Sequence, residues 1–250
     1  MWGDATLEKT AFNPLVPPSG INLFKVHLEG DGTAWGYNFG LLVTPSKQLK
    51  IGFSYRSPFT LDIKDGDVNL SDNTVVQLAG PFPAVSKAST SIRMPATAAL
   101  GLAYICGKLT IEADADWTMW SSFDELAIIN QNSPALSSTT PKRWKDVVAF
   151  RLGGEYRVTK PLALRLGFAY DPSPVPQATM GPELPDADRL NYMAGAGYKF
   201  GNWTIDAAYM YVDKKSRTVN NLNQNGPLTG FNGTWDGDAH LVALDIGYRF

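Results

Sequence analysis

His27, His240 and Cys106 are the imidazoles and the thiol of this 250-residue chain. One cysteine forms no internal disulfide and no zinc cluster by itself, and two histidines leave little material for acid–base work. A serine-hydrolase array needs a nucleophile, a base and an acid within reach of one another. His27 reads as a loop residue, His240 falls near a strand start, and neither has an evident nucleophile partner. The stretch GTAWGYNFG has scattered glycines on a strand with no helix after it, so it is not a phosphate loop. What remains is ionic. Lys50, Arg56, Asp62, Glu112, Asp114, Asp116, Arg151, Glu155, Arg165, Asp206, Asp245 and Arg249 alternate with apolar neighbours and mix both signs. A ring of one sign would suggest an ion-selective pore. Mixed signs suggest structural pairing across adjacent strands. No catalysis, metal or cofactor is expected.

The elements that carry these charges follow from composition and period. Aromatic residues make up 12% and charged residues 18%, and the net charge of −2 gives no electrostatic reason for a nucleic-acid partner. No apolar run approaches the roughly 18–20 residues of a membrane-spanning helix, whereas a membrane strand needs only about 9–11, apolar on one face. The opening MWGDATLEKT has no basic segment followed by an apolar core, so a secretory signal is not expected within this sequence. If the protein is exported, its beginning lies elsewhere.

Two-residue alternation recurs throughout. Trp35 to Val43, Leu49 to Ile63, Met94 to Tyr104, Leu109 to Met119, Trp144 to Tyr156, Leu162 to Tyr170, Tyr192 to Phe200, Trp203 to Tyr211 and Val242 to Phe250 each set an apolar stripe against small or charged residues. These make nine strands, with a shorter piece, ATLEKTAF, before them. The tight turns TPSKQ, CGK, VTKP and FGNW alternate with long polar or Pro-rich loops near 13–32, 71–88, 129–142, 172–188 and 218–234. Short turns on one side and long loops on the other predict an all-β, antiparallel up-and-down transmembrane β-barrel, a single domain over residues 1–250. Aromatics gather at strand ends, as in Trp144 with Tyr156 and Trp203 with Tyr211, which puts the bulky stripe against lipid and the charged stripe in the lumen. A soluble β-sandwich core is the rival reading.

Several stretches resemble a known family. GDGTAWGYNFGLLVTP, LKIGFSYRSP, WTMWSSFDEL, YDPSPVP and LPDADR are similar to the outer-membrane long-chain fatty-acid transporters, a family that includes aromatic-hydrocarbon transporters. The resemblance implies a fourteen-stranded barrel with an N-terminal hatch. This sequence matches about the last ten strands, with the hatch and first strands missing; a complete ten-stranded barrel is the alternative. It also implies passive outer-membrane transport of fatty acids or other hydrophobic compounds, by way of an external apolar groove and the lumen. A general porin for small polar solutes is the competing function. The terminal Phe250, with Tyr248 two residues before it, resembles the insertion signal read by the barrel-assembly machinery. The expected partners are outer-membrane lipid and a hydrophobic small molecule, with a monomer when complete.

Two loops, NPLVPPSGINLF and NTVVQLAGPFPAV, are unusually apolar, as binding surfaces are. Leu15, Val16, Ile21, Leu23, Phe24, Val76, Leu78, Phe82 and Val85 are the candidates for the groove, unless these loops merely pack on each other. A fatty-acid carboxylate needs a cation or donors once desolvated. Lys9, where the resemblance suggests a basic residue, and Lys142 with Lys145, at a strand entrance, are the candidates for it.

Overall fold

The computed structural model describes residues 2–12, 22–71, 85–132, 134, 137–181, 185–222, 224 and 231–250, with side chains from residue 31 onward apart from 68–71, 85 and 86. Fifteen strands dominate it: β1 (Trp2–Phe12), β2 (Asn22–Thr33), β3 (Asn38–Val43), β4 (Leu49–Arg56), β5 (Phe59–Ser71), β6 (Val85–Met94), β7 (Thr97–Cys106), β8 (Leu109–Thr118), β9 (Glu125–Asn130), β10 (Ser138–Pro141), β11 (Val147–Arg157), β12 (Leu162–Asp171), β13 (Arg189–Phe200), β14 (Trp203–Asn220) and β15 (Asn232–Tyr248). All pairings are antiparallel. Nine strands form one sheet in the order β15-β14-β13-β12-β11-β8-β7-β4-β3, and six form another in the order β1-β2-β5-β6-β9-β10.

The two sheets are successive levels of the same strands. β2 leads into β3, β4 into β5, β6 into β7, β8 into β9 and β10 into β11 across short breaks, so the described chain makes ten up-and-down passes. Pro58 and Pro95 sit in two of the breaks. Proline has no N–H to give the ladder, which ends the pairing there. Ser57 stitches another break: its N–H donates to the Tyr37 carbonyl and its Oγ accepts from the Tyr37 N–H, both at 2.9 Å.

Four of the five long connections are shorter than the sequence suggested, and the fifth, 172–188, has the expected bounds. β1 and β2 form a paired ladder from Trp2↔Thr33 to Phe12↔Asn22. Leu23, Phe24 and His27 therefore lie on β2 rather than in a loop, and Val85 opens β6. Phe24, Val26 and Leu28 alternate with Lys25, His27 and Glu29, a strand period obscured by the preceding Pro17, Pro18 and Gly20. At the opposite ends, Gly107 (φ 61°) and Gly201 (φ 57°) take the left-handed backbone that the tightest turns require.

Register assigns the faces. Arg165 is opposite Glu155 and Gly195, Gly197 is opposite Asp206, and Asp206 is opposite Asp245. On the other face Phe168 is opposite Leu152 and Tyr192, and Tyr192 is opposite Tyr211. One cavity of about 1110 Å³ touches Lys50 on β4, Arg165 on β12 and Asp245 on β15, so the nine-stranded sheet curls with its ionic face inward. The apolar face is bare: Leu166 is 73% exposed and Val242 82%. Leaving a large apolar side chain in water forgoes about 1.5–3 kcal/mol. Ten such residues would outweigh the roughly 5–15 kcal/mol by which a typical domain is stable. Water is therefore the wrong solvent for this surface. Among the described residues no helix is long and apolar enough to cross a membrane, and these strands are the elements that present an apolar face. The edge strands β3 and β15 each have one partner strand among the described residues, so the described sheet is open.

Candidate functional site

Charges on the inner face are placed by the two-residue period and satisfied across strands. Arg165 Nε donates to Glu155 Oε2 at 2.9 Å, and its Nη1 to Asp206 Oδ1 at 2.5 Å. Arg157 Nε reaches Glu155 Oε1 at 3.3 Å, and Arg151 pairs with Asp116. Glycine makes room for this chain of ions: a Cβ on Gly197 would strike the Asp206 carboxylate and come within 3.2 Å of the Arg165 guanidinium. The signs alternate along the chain, as the sequence led one to expect of paired charges.

Over one end of this face sits a cap built from the segment between β12 and β13. Arg217 Nη2 donates to the Val175 carbonyl at 2.6 Å, and Nη1 to the Asp186 carbonyl at 2.9 Å and Ser173 Oγ at 3.1 Å. Asn221, 1% exposed, donates through Nδ2 to the carbonyls of Gln177 and Met180 at 2.7 and 2.8 Å and accepts at Oδ1 from the Phe231 N–H at 2.7 Å. Val175, Met180 and Val219 form an apolar centre beneath, flanked by Trp144, Phe231 and Trp235. At the rim Asp188 accepts from the Ser173 N–H at 2.9 Å and the Tyr170 O–H at 3.0 Å, with Lys215 Nζ at 3.5 Å. Burial acts to raise its pKa, but the Ser173 and Tyr170 donors and the Lys215 charge outweigh it and hold the carboxyl below the usual aspartate range.

Trp144 departs from expectation. Instead of joining the lipid-facing stripe it stacks edge-on against Trp120 (4.7 Å) and Phe123 (5.1 Å) under the cap. Arg143, at φ 48°, turns the chain just before it, and Trp144 precedes β11 rather than belonging to it. A left-handed arginine gives no signal in a period-two reading.

Residues 6–250 match the model of a family described as "Outer membrane protein transport protein (OMPP1/FadL/TodX)". The chain belongs to that family. The long-chain fatty acid transport protein of Escherichia coli is 28% identical over 236 residues, covering 90% of this chain and 51% of that protein. The 47 kDa outer membrane protein of Pasteurella multocida is 28% identical over 231 residues, covering 89% and 52%. Among solved structures, a FadL homologue of Pseudomonas aeruginosa superposes with a TM-score of 0.81 at 25% identity, over 99% of this chain and 61% of that one. The toluene transporter TbuX of Ralstonia pickettii shares the fold at a TM-score of 0.53 and 20% identity, over 82% and 49%. The chain spans about half the length of the curated relatives it matches. Membership makes it an outer-membrane protein of a transport family, not an enzyme family.

Within that family frame the candidate residues fall unevenly. Leu15, Val16, Ile21, Val76, Leu78 and Phe82 lie outside the described residues; Leu23, Phe24, Val85 and Lys9 have described backbone only. Lys9 is on β1, at the opposite edge of the six-stranded sheet from β10, which runs into Lys142. Lys142 is buried at the cap, its N–H donating to the Asp124 carbonyl at 2.6 Å and its carbonyl accepting from Thr179 Oγ1 at 2.5 Å. Lys145 is exposed, and its N–H donates to the Pro174 carbonyl at 2.9 Å. Lys142 and Lys145 thus meet the cap, while the strand of Lys9 lies at the far edge of that sheet. Sequence reasoning missed the anchors Arg217 and Asn221. Their one signal is that polar residues continue β14 beyond its apolar stripe.

Proposed function

We propose that the protein passes hydrophobic compounds, long-chain fatty acids or small aromatic hydrocarbons, passively across the outer membrane. The observation that carries this reading is a face of bare large apolar side chains backed by an inner face of paired ions, in a chain whose family is one of outer-membrane transport. Relatives named as fatty-acid and toluene transporters supply the substrate class. Further strands joining β3 to β15 would close the sheet into the fourteen-stranded barrel that the family resemblance implies. Substrate would be captured by the apolar segments holding Leu15, Val16, Ile21, Leu23 and Phe24, and Val76, Leu78, Phe82 and Val85. Lys145, exposed beside the cap, is the best placed of the three lysines to meet a carboxylate, with Lys9 and Lys142 the alternatives. Phe250 would be read by the assembly machinery. Movement would need no nucleotide, because a hydrophobic solute runs down its own gradient.

The test is uptake by cells lacking their own fatty-acid transporter and expressing the full chain. Labelled oleate or toluene should enter, while vesicles carrying the protein should not swell in small sugars. Swelling in sugars without oleate or toluene uptake would replace this reading with a general porin.

A further inference from the structure

The tight-turn end of the sheet carries charge of one sign. Every turn has a lysine on it or beside it: Lys47 in 44–48, Lys108 in 107–108, Lys160 in 158–161 and Lys199 just before 201–202. Arg249 adds a fifth cation after β15. All five are exposed. Residues 43–50, 104–110, 156–163, 198–204 and 246–250 contain no aspartate or glutamate. The opposite end mixes signs, as in Lys87 with Asp67 at 2.5 Å and Lys215 with Asp188 at 3.5 Å. Among the described residues at the turn end there is no carboxylate side chain to answer the lysines.

Directly beside these cations the outer face ends in a belt of rings. Phe200 stacks on Trp203 at 6.5 Å, Trp203 meets Tyr248 at 4.8 Å, and Tyr248 meets Phe250 at 5.1 Å. Aromatic rings of this kind settle at the level of lipid headgroups, which fixes the depth of the turns just beyond them. The stems of the turn lysines Lys47, Lys108 and Lys160 are free to lie along apolar surface while their ammonium groups reach the polar layer; Lys199 and Arg249 start from the inner face by period and reach the same rim at its edge. The lysines therefore sit where phosphates are.

We propose that this rim docks the phosphodiester headgroups of anionic phospholipids in the periplasmic leaflet. The inference rests on the outer-membrane reading, in which short turns face the periplasm. Each ammonium donates to phosphate oxygens, and the rings hold the acyl chains of the same lipids. The association is electrostatic, so it weakens once salt shortens the screening length to a few ångströms.

The test places the full chain in mixed bilayers and measures, by spin-labelled lipids, the relative association of phosphatidylglycerol and phosphatidylcholine. At low salt the anionic lipid should be favoured about fivefold, falling toward parity in high salt. The combined Lys47→Gln, Lys108→Gln, Lys160→Gln and Lys199→Gln variant should abolish the preference while binding phosphatidylcholine as before. The Lys64→Gln, Lys87→Gln variant, altered at the loop end, should keep it. No preference in the wild-type chain overturns the proposal, even if an acidic periplasmic protein then proves to bind the rim. So does a preference that survives loss of the four turn lysines, or one lost with the loop-end pair. A chain that restricts neither lipid is not embedded at all, which sinks the outer-membrane reading and the proposal with it.

Discussion

Leu152 and Gly153 are consecutive residues at the same depth on opposite faces, and a lysine at each reads out which face meets lipid. Both sit midway along β11, about five residues from either end; at 3.3 Å per residue and a tilt of about 40° this is roughly 13 Å from each edge of the apolar band. Leu152 stands opposite Ala113 and Phe168 on the apolar face. Gly153 stands opposite Glu112 on the ionic face, and a Cβ there meets nothing within 4 Å. Leu152→Lys puts an ammonium near the bilayer midplane, which costs about 2–4 kcal/mol. Gly153→Lys puts the same group beside a carboxylate in open space and should change stability by less than about 1 kcal/mol. The assay is reversible urea unfolding of the full chain in lipid vesicles, where the difference is a factor of roughly 10 to several hundred in the unfolding constant. In a soluble protein the exchange of a half-exposed leucine such as Leu152 (54%) would fall within about 0.5 kcal/mol. Equal effects at the two sites, or a larger one at Gly153, would refute the assignment of faces and everything built on it.

Other consequences concern the cap and the ion chain. Arg217→Met removes three hydrogen bonds from the cap and should weaken its attachment by about 2–4 kcal/mol, seen as faster protease cleavage within 172–188 in an otherwise folded protein. Asp188 titrates lower in the folded protein than in the unfolded one, so its contribution is complete above the ordinary aspartate range, near pH 4, and disappears as pH falls through the folded value. Cleavage of the cap should accelerate below about pH 4, and Asp188→Asn should flatten that dependence. Gly197→Val forces Asp206 away from Arg165 and should destabilise by up to about 1 kcal/mol in the same urea titration, whereas Gly153→Ala should be neutral.

The alternation of apolar with small or charged residues was enough to give the strands of the nine-stranded sheet, their antiparallel order and the faces of their residues, though not β2, β6, β9 and β10, nor the inward turn of Trp144. Side chains on a strand have a strict period of two, and no long-range fact is needed to sort them. Arg165 could be assigned to the inner face from its place between Leu164 and Leu166 alone. Its partners could not. That it lies between Glu155, 10 residues away along the chain, and Asp206, 41 residues away, follows from register, which pairing sets and period leaves open. The cap was invisible for a related reason. Pro172, Pro174, Pro176 and Pro185 mark 172–188 as irregular, and irregular backbone has no periodicity to read. Only the folded chain brings Arg217 and Asn221 against its carbonyls and turns Trp144 inward through Arg143. Local sequence dictated where each side chain points, because that is geometry within one strand. Which distant group it meets was decided by the tertiary structure, because hydrogen bonds and ion pairs act only over ångströms and residues distant in sequence come that close only when the sheet is assembled.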